Sequence, residues 1–119
     1  MDRQPHILVV DDEDLVAFAL SLTLQDEGFR VTVCHDGREA LIAEREDRSD
    51  LLLTDLRMPG MGGLELIREV RQHRPEARII VMSGYSEGYP SEEVGRLTVL
   101  RKPFPIHTLV TTVKDMLDG

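Results

Sequence analysis

Short apolar runs alternate along the chain with longer stretches in which apolar residues recur every three or four positions. Each apolar run stops at a polar residue or a turn. The candidate strands are residues 6–10, 31–34, 51–54, 78–82 and 98–101. This alternation predicts buried strands separated by amphipathic helices, which is typical of a parallel sheet covered by helices.

The helices are predicted from apolar spacing and from capping residues. A first helix, which Gly28 closes, is marked by Leu15, Phe18 and Leu22 and by the neighbouring Val16, Ala19 and Leu20. Asp36 is a suitable N-cap for a second helix, with Ala40 among its inward-facing residues. The last two helices are marked by Leu64, Ile67 and Val70, and by Ile106, Leu109, Val110, Val113 and Leu117.

The connection between the fourth and fifth strands departs from this pattern. It contains four residues that disfavour a helix: Gly84, Gly88, Pro90 and Gly95. Inside a helix glycine costs about 1 kcal/mol and proline about 3 kcal/mol relative to alanine. We therefore expect a shortened fourth helix within residues 91–96, with Val94 and Leu97 as its main apolar anchors.

Five β–α repeats follow one another without a linker or low-complexity tract, so residues 1–119 are predicted to be one domain. The expected fold class is α/β, a doubly wound five-stranded parallel sheet with the flavodoxin-like order 2-1-3-4-5. In such a sheet the carboxyl ends of all strands meet at one edge. Ligands bind there, where the strand order switches between strands one and three.

Composition narrows the class of partner. The 22 acidic and 14 basic residues give a net charge of −8, which argues against direct nucleic-acid binding. Cys34, the one cysteine, cannot form an internal disulfide, and no segment resembles a signal peptide or membrane span. We expect a cytoplasmic protein that is a monomer or weak dimer.

Polar residues collect where the predicted strands end: Asp11, Asp12, Asp55, Ser83 and Lys102. Three converging carboxylates repel one another unless a cation compensates, and hard oxygen ligands favour Mg²⁺. Asp55 could then act as a nucleophile toward phosphorus, with the Lys102 ammonium and the Ser83 hydroxyl directed at the phosphoryl oxygens. Each residue alone also has an ordinary explanation, as a helix-start acid or a turn residue. Only the combination favours a site.

These residues lie in four short segments: HILVVDDE at 6–13, LTDLRMPGMGG at 53–63, MSG at 82–84 and KPF at 102–104. In that order the segments resemble the motifs of receiver domains from two-component response regulators, and the match covers essentially the whole chain. The resemblance implies a domain that accepts a phosphoryl group from a histidine kinase or a histidine phosphotransfer protein and signals by conformational change. It also implies that the domain assists its own phosphorylation and dephosphorylation.

The resemblance also implies a role for each residue. Asp12 is expected to bind Mg²⁺ directly and Asp11 through water. Asp55 is expected to be both the phosphoacceptor and a metal ligand, and the backbone carbonyl of Arg57 completes the protein's share of the coordination. The lysine–proline peptide at 102–103 is expected to be cis. Two residues are expected to bind the phosphoryl group: Ser83 and Lys102.

Two departures and two alternatives accompany this interpretation. Val99 occupies the position where the family usually has a switch aromatic, and the segment after Met82 resembles receiver domains fused to hybrid histidine kinases.

An aspartyl-phosphate phosphatase would be expected to carry a second acid two residues after Asp55, where this chain has Arg57. A fold that only binds proteins and never takes phosphate would not need the complete polar set.

Overall fold

The computed structural model describes residues 4–84 and 90–118, in which strands and helices alternate. The strands are β1 (His6–Val10), β2 (Arg30–Cys34), β3 (Leu51–Asp55), β4 (Ile79–Ser83) and β5 (Leu97–Arg101). The helices are α1 (Asp14–Asp26), α2 (Gly37–Glu46), α3 (Gly63–His73) and α4 (Ile106–Asp118). No helix in the described ranges is long and apolar enough to cross a membrane.

The strands form one parallel sheet in the order β2-β1-β3-β4-β5, so the predicted fold class and strand order are confirmed. Every residue of β1, β3 and β4 is buried. These three strands read as continuous apolar runs because helices cover both faces of the sheet. The strand order switches between β1 and β3. The crevice outside the carboxyl ends of these two strands is where a ligand is expected.

Alternate residues of each strand enter two separate cores. Ile7 and Val9 of β1 pack on one face of the sheet, in a cluster that includes Leu24 of α1 and Leu109 of α4. Leu8 and Val10 pack on the other face, with residues of α2 and α3. This division fixes the register of β1, because a slip of one residue would exchange its two cores.

Local capping agrees with the sequence at α1 and α2. The Asp36 side chain accepts a hydrogen bond from the Glu39 N–H at 2.8 Å, and the Glu39 carboxylate accepts one from the His35 N–H at 3.0 Å. These bonds satisfy backbone donors at the amino end of α2. Gly28 follows α1 with a φ of 95°, a conformation that favours glycine.

Three of the residues that mark α1 in the sequence lie on its outer face, whereas Leu20 is buried. Leu15, Phe18 and Leu22 are 83%, 61% and 46% exposed. The buried residues of the helix are Ala17, Leu20, Ser21 and Leu24. Both faces of α1 are therefore apolar, and only one of them is covered by the rest of the chain.

The shortened fourth helix predicted within residues 91–96 is wrong. Residues 90–96 instead form an irregular segment and a turn, closed by hydrogen bonds between the backbone of Glu93 and that of Leu97. Gly95 adopts a φ of 75°, which is incompatible with a helix, and Val94 projects fully into solvent instead of anchoring the segment. Residues 85–89, which include Gly88, lie outside the described part of the chain.

Val99 lies in β5 and packs against the second core while remaining partly exposed. Its N–H donates to the Glu92 carboxylate at 2.8 Å, so a side chain of the preceding segment covers part of this edge strand. An edge strand presents unpaired backbone groups, and charged side chains commonly shield them.

Candidate metal centre

The polar residues predicted at the strand ends do meet at one edge of the sheet. Asp11 follows β1, Asp55 and Ser83 are the last residues of β3 and β4, and Lys102 follows β5. A cavity of about 270 Å³ opens at this edge. Its lining consists of Asp12, Glu13, Asp55, Leu56, Arg57, Ser83, Gly84 and Lys102.

Three carboxylates converge beside this cavity. One oxygen each from Asp11, Asp12 and Asp55 lie within 4.8 Å of one another. Asp11 is fully buried, Asp55 is nearly so, and Asp12 is exposed. A cluster of this kind offers oxygen ligands from two neighbouring strands and leaves one side open to solvent, which suits a hard cation that keeps part of its water shell.

Asp11 contributes a buried carboxylate oxygen that fits a cation site. Its Oδ1 accepts a hydrogen bond from the Glu13 N–H at 2.9 Å. Its Oδ2 is buried and has no hydrogen-bond partner among the residues that the structure describes. Leaving a charged oxygen buried and unsatisfied is costly, so this atom fits a site where a metal ion or its bound water supplies the interaction.

Lys102 supplies the positive charge at the site. Its Nζ lies 3.4 Å from Asp55 Oδ1 and 3.9 Å from Asp11 Oδ2. Its backbone N–H donates to the Ser83 carbonyl at 2.7 Å, which holds the residue against the end of β4. The peptide that joins it to Pro103 is cis, as expected. One ammonium group thus faces two carboxylates.

The surroundings of Asp11 and Asp55 disfavour the charged forms of both carboxylates. Burial raises the pKa of Asp11, and the neighbouring charge of Asp55 raises it further, against the opposing effects of the Glu13 N–H and Lys102. Burial likewise raises the pKa of Asp55, although Lys102 and the Leu56 N–H favour its ionised form. The charged forms are held in surroundings that disfavour them, so a bound cation would relieve both carboxylates.

The loop after β3 is built closely around Asp55. The Leu56 N–H donates to Asp55 Oδ1 at 2.9 Å, and the Gly63 N–H donates to the Leu56 carbonyl at 2.9 Å. A Cβ at position 63 would collide with the Asp55 carbonyl, so glycine is required where α3 begins. Arg57 belongs to the same loop, is exposed and lines the cavity.

Two contributions were not foreseen from the sequence. Glu13 lines the cavity and its N–H holds Asp11, and Gly63 permits the close return of the chain to Asp55. Both lie inside the segments that carry the resemblance, so adjacency to the aspartates was the available signal. Ser83, in contrast, lies where it was expected, buried beside the cavity.

A larger cavity of about 870 Å³ lies at the opposite edge of the sheet, away from the carboxylates. Arg74 and Arg78 contribute to its wall and donate hydrogen bonds to the backbone carbonyls of Ser49 and Leu117. These arginines satisfy acceptors at the carboxyl ends of helices and in the adjoining loops. We therefore assign the chemistry to the smaller cavity, where the carboxylates, Ser83 and Lys102 meet.

Most of the chain is similar in sequence to known proteins of one family. Residues 7–114 match the response regulator receiver domain family. The uncharacterized transcriptional regulatory protein YkoG of Bacillus subtilis is 34% identical over 94% of this chain and 50% of its own length. Sporulation initiation phosphotransferase F of the same organism is 33% identical over 93% of this chain and 92% of its own.

A solved structure of similar shape has been described with ligands. The response regulator TrrA of Thermotoga maritima, in complex with Mg²⁺ and BeF, superposes with a TM-score of 0.85. It is 32% identical, and the match covers 95% of this chain and 99% of that one. This chain spans half the length of YkoG and nearly the whole of the phosphotransferase.

Proposed function

Because this chain belongs to the response regulator receiver domain family, whose members accept a phosphoryl group in two-component signalling, we propose that Asp55 is its phosphoacceptor and that the reaction depends on Mg²⁺. The observation that carries the proposal is the meeting of three carboxylates within 4.8 Å, with the Lys102 ammonium 3.4 Å from Asp55. The family is one of signalling phosphoacceptors and not of conventional enzymes.

In this proposal Asp12 and Asp55 would hold the metal directly, Asp11 would hold it through water, and the Arg57 carbonyl would contribute one more oxygen. The Oδ2 of Asp11, which is buried and accepts no hydrogen bond from the described residues, supports the assignment, as does the carboxylate chemistry of the cluster. When bound, Mg²⁺ neutralises negative charge on the oxygens of the transferring phosphoryl group.

In the same proposal, three side chains of this protein take part in phosphoryl transfer: Asp55, Lys102 and Ser83. When a phosphohistidine is the donor, a carboxylate oxygen of Asp55 forms a bond to phosphorus while the bond between phosphorus and the histidine nitrogen breaks. The Lys102 ammonium, already poised near both buried aspartates, then pairs with a phosphoryl oxygen. Ser83 lines the same cavity and donates its hydroxyl to another oxygen. In this way the domain would assist its own phosphorylation. The same groups would assist its dephosphorylation, in which water attacks phosphorus, the bond between phosphorus and the Asp55 oxygen breaks, and inorganic phosphate leaves.

The donor is proposed to be a phosphohistidine on a histidine kinase or a histidine phosphotransfer protein. Receiver domains interact with such partners. The outer face of α1 supports this, because Leu15, Phe18 and Leu22 form an exposed apolar stripe. The helix starts at Asp14, only two residues after Asp12, so the stripe begins close in sequence to the carboxylates. Exposed apolar patches of this kind commonly mark protein interfaces.

The proposal takes residues 1–119 as one phosphoacceptor domain. A single sheet with helices on both faces and two complete cores supports this, together with the family match over 7–114. A cytoplasmic location is part of the same proposal, since Cys34 is a buried free thiol, as is usual in reducing compartments.

The test is phosphorylation by a small phosphodonor such as acetyl phosphate. Wild-type protein is expected to gain an acid-labile, hydroxylamine-sensitive label in Mg²⁺, and to lose it in EDTA. Asp55→Asn should abolish the label, and Asp12→Ala should weaken Mg²⁺ binding. Asp115→Asn, at an exposed position of α4, is the matched control and should label normally. Undiminished labelling of Asp55→Asn would refute the assignment.

The two alternative functions are separated by further measurements. A phosphatase would turn over a simple phosphate ester repeatedly, whereas the proposed acceptor would not. A fold that only binds proteins would show no beryllofluoride-induced change in its amide spectrum, with or without Mg²⁺. Either result would replace the proposal.

A further inference from the structure

The amino end of α2 supports the loop that follows the proposed phosphoacceptor. Gly37 is the first residue of α2, and its N–H donates to the Met61 carbonyl at 3.2 Å. The first N–H groups of a helix have no partner within the helix and are available for such contacts. Here that donor is directed at the loop of residues 56–62, which joins Asp55 to α3.

The contact leaves no room for a side chain at position 37. A Cβ built on Gly37 would lie 2.6 Å from Met61 Cγ, 2.9 Å from its Sδ and 2.8 Å from its backbone oxygen. The side-chain atoms could move aside. The backbone oxygen could move only with the loop itself, so the absence of a side chain at Gly37 determines how closely α2 and the loop approach.

This position matters because the loop is bonded to the sheet at its start and closed on itself at its end. The Leu56 N–H donates to the Met82 carbonyl at 3.0 Å, and the Gly63 N–H returns to the Leu56 carbonyl at 2.9 Å. Between these anchors the chain leaves the sheet, and α2 meets it from the side. Arg57, whose carbonyl is the proposed metal ligand, lies within this span.

The same segment contacts the other half of the site. His35 Nδ1, just before α2, lies 3.2 Å from the Asp11 carbonyl oxygen. Neither His35 nor Gly37 lines the cavity among the residues described there. Residues 35–37 therefore contact the backbone at two places near the site, at Asp11 and at Met61 in the loop after Asp55. Both contacts are made from outside the cavity.

We propose that Gly37 is a positioning residue for the metal site: by lacking a side chain it seats Met61, and so fixes where the loop places the Arg57 carbonyl beside Asp55. This inference rests on the proposed function. Substituting residues that hold the metal ligands in position typically weakens metal binding by roughly 10- to 100-fold.

The direct test compares Gly37→Ala with Arg38→Ala, a substitution at the next and exposed position of the same helix end. Amide spectra of the metal-free proteins report the loop, and Mg²⁺ titrations followed on the same amides give the dissociation constant. Gly37→Ala is expected to shift amides of residues 56–63 and to weaken Mg²⁺ binding roughly tenfold. Arg38→Ala should change neither.

Two further variants identify the atom responsible. Met61→Ala keeps both Gly37 and the hydrogen bond, so its Mg²⁺ affinity should stay near that of the wild type. The double variant Gly37→Ala with Met61→Ala removes the side-chain collision but keeps the backbone oxygen in place, so its affinity should remain low. Full recovery in the double variant would overturn the role of the backbone contact.

A second pair of variants serves if Gly37→Ala does not fold. Asp36→Ala removes the cap that holds the first turn of α2, whereas Asp36→Asn keeps a capping side chain and removes only its charge. Mg²⁺ binding should be weaker in Asp36→Ala than in Asp36→Asn. Equal affinities in that pair, or an unchanged affinity in folded Gly37→Ala, would overturn the inference alone. Failure of the wild type to bind Mg²⁺ would overturn the proposed function, and with it the metal-positioning role.

Discussion

At the scale of single residues, the site holds more negative charge than its protein surroundings favour. Burial raises the pKa of both Asp11 and Asp55, and one lysine faces the pair. Residues kept at a cost to stability are typical of functional sites, where the strain is relieved when a ligand binds. The metal-free protein should therefore be less stable than its packing alone would allow.

The first prediction follows for Asp55→Asn. In EDTA at neutral pH this variant should be more stable than the wild type, by about 1–2 kcal/mol, because it removes a charge from a buried site without removing volume. Urea denaturation in EDTA measures the difference. Asp115→Asn on α4, which is exposed, should leave the stability unchanged. A clear loss of stability in Asp55→Asn would show that the carboxylate is well compensated by Lys102.

The same variant has a predicted pH dependence. The pKa of Asp55 in the folded protein lies above its ordinary value of 3.8. A group of this kind contributes stability below the unfolded pKa, and that contribution is lost as the pH rises through the folded pKa. The advantage of Asp55→Asn should therefore be largest near neutral pH and should shrink in acid. Denaturation midpoints of both proteins at a series of pH values provide the check.

At the scale of elements, α1 has two apolar faces with different tasks. Ala17, Leu20 and Leu24 pack into the core, whereas Leu15, Phe18 and Leu22 remain exposed. In the sequence the two sets are interleaved, so apolar spacing locates the helix without identifying its inner face. The structure separates them, because only one set contacts the sheet.

Substitutions on the two faces should therefore have opposite consequences. Leu24→Ala should cost about 2–5 kcal/mol of stability, the range for truncating a buried leucine. Phe18→Ala should change stability little, and should slow phosphoryl transfer from a partner protein while leaving labelling by acetyl phosphate intact. Thermal denaturation and the two phosphorylation assays separate the effects. Equal slowing with both donors would argue against a docking role for this face.

A second element-scale feature is the arginine that holds the segment before β5. Arg71 of α3 donates to the Ala77 carbonyl at 3.1 Å, to the Glu93 carboxylate at 2.9 Å and to the Arg96 carbonyl at 3.1 Å. It is largely buried, so these charge-assisted bonds lie in surroundings where they are strong. This side chain, and not Val94, ties residues 93–96 to the fold.

Arg71→Ala should release that segment. Amide exchange at Arg96 and Leu97 should accelerate by roughly tenfold or more, because local opening no longer breaks the guanidinium's hydrogen bonds to Glu93 and Arg96. Arg68→Ala, an exposed arginine of the same helix, is the matched control. Unchanged exchange in Arg71→Ala would mean that the Glu93–Leu97 backbone bonds hold the turn by themselves.

At the scale of the whole molecule, a cation should stabilise the fold by mass action. The chain carries a net charge of −8, and three of its carboxylates share one edge of the sheet. A ligand that binds only the folded state stabilises it by about 2.7 kcal/mol at a hundred times its dissociation constant. Mg²⁺ should therefore raise the melting temperature more than NaCl of equal ionic strength, and Asp55→Asn should reduce that difference. An equal effect of both salts would indicate only screening.

The sequence alone predicted most of the fold and the membership of the polar cluster. Five apolar runs located the strands to within a residue or two, and their alternation with helices predicted the order β2-β1-β3-β4-β5. The convergence of Asp11, Asp55 and Lys102 followed from that order, because parallel strands end at a common edge. The catalytic and metal-binding roles of these residues remain predictions for the experiments above.

Other features depended on contacts between distant parts of the chain. The segment at 90–96 contains helix-breaking residues, but its turn depends on Arg71, more than twenty positions earlier. Local propensity therefore showed that a regular helix was disfavoured without showing what replaces it.

The amino-acid sequence by itself determined the strands, their order and which polar side chains share an edge, because hydrophobic periodicity is a local property and parallel topology admits few solutions. Only the tertiary structure decided which face of α1 is buried, how Arg71 holds the turn before β5, and how closely Gly37 approaches Met61. It also decided that Asp11 keeps a buried oxygen without a hydrogen-bond partner among the described residues. Burial, distance and charge at these positions arise from elements far apart in the chain, and they exist only once those elements have packed.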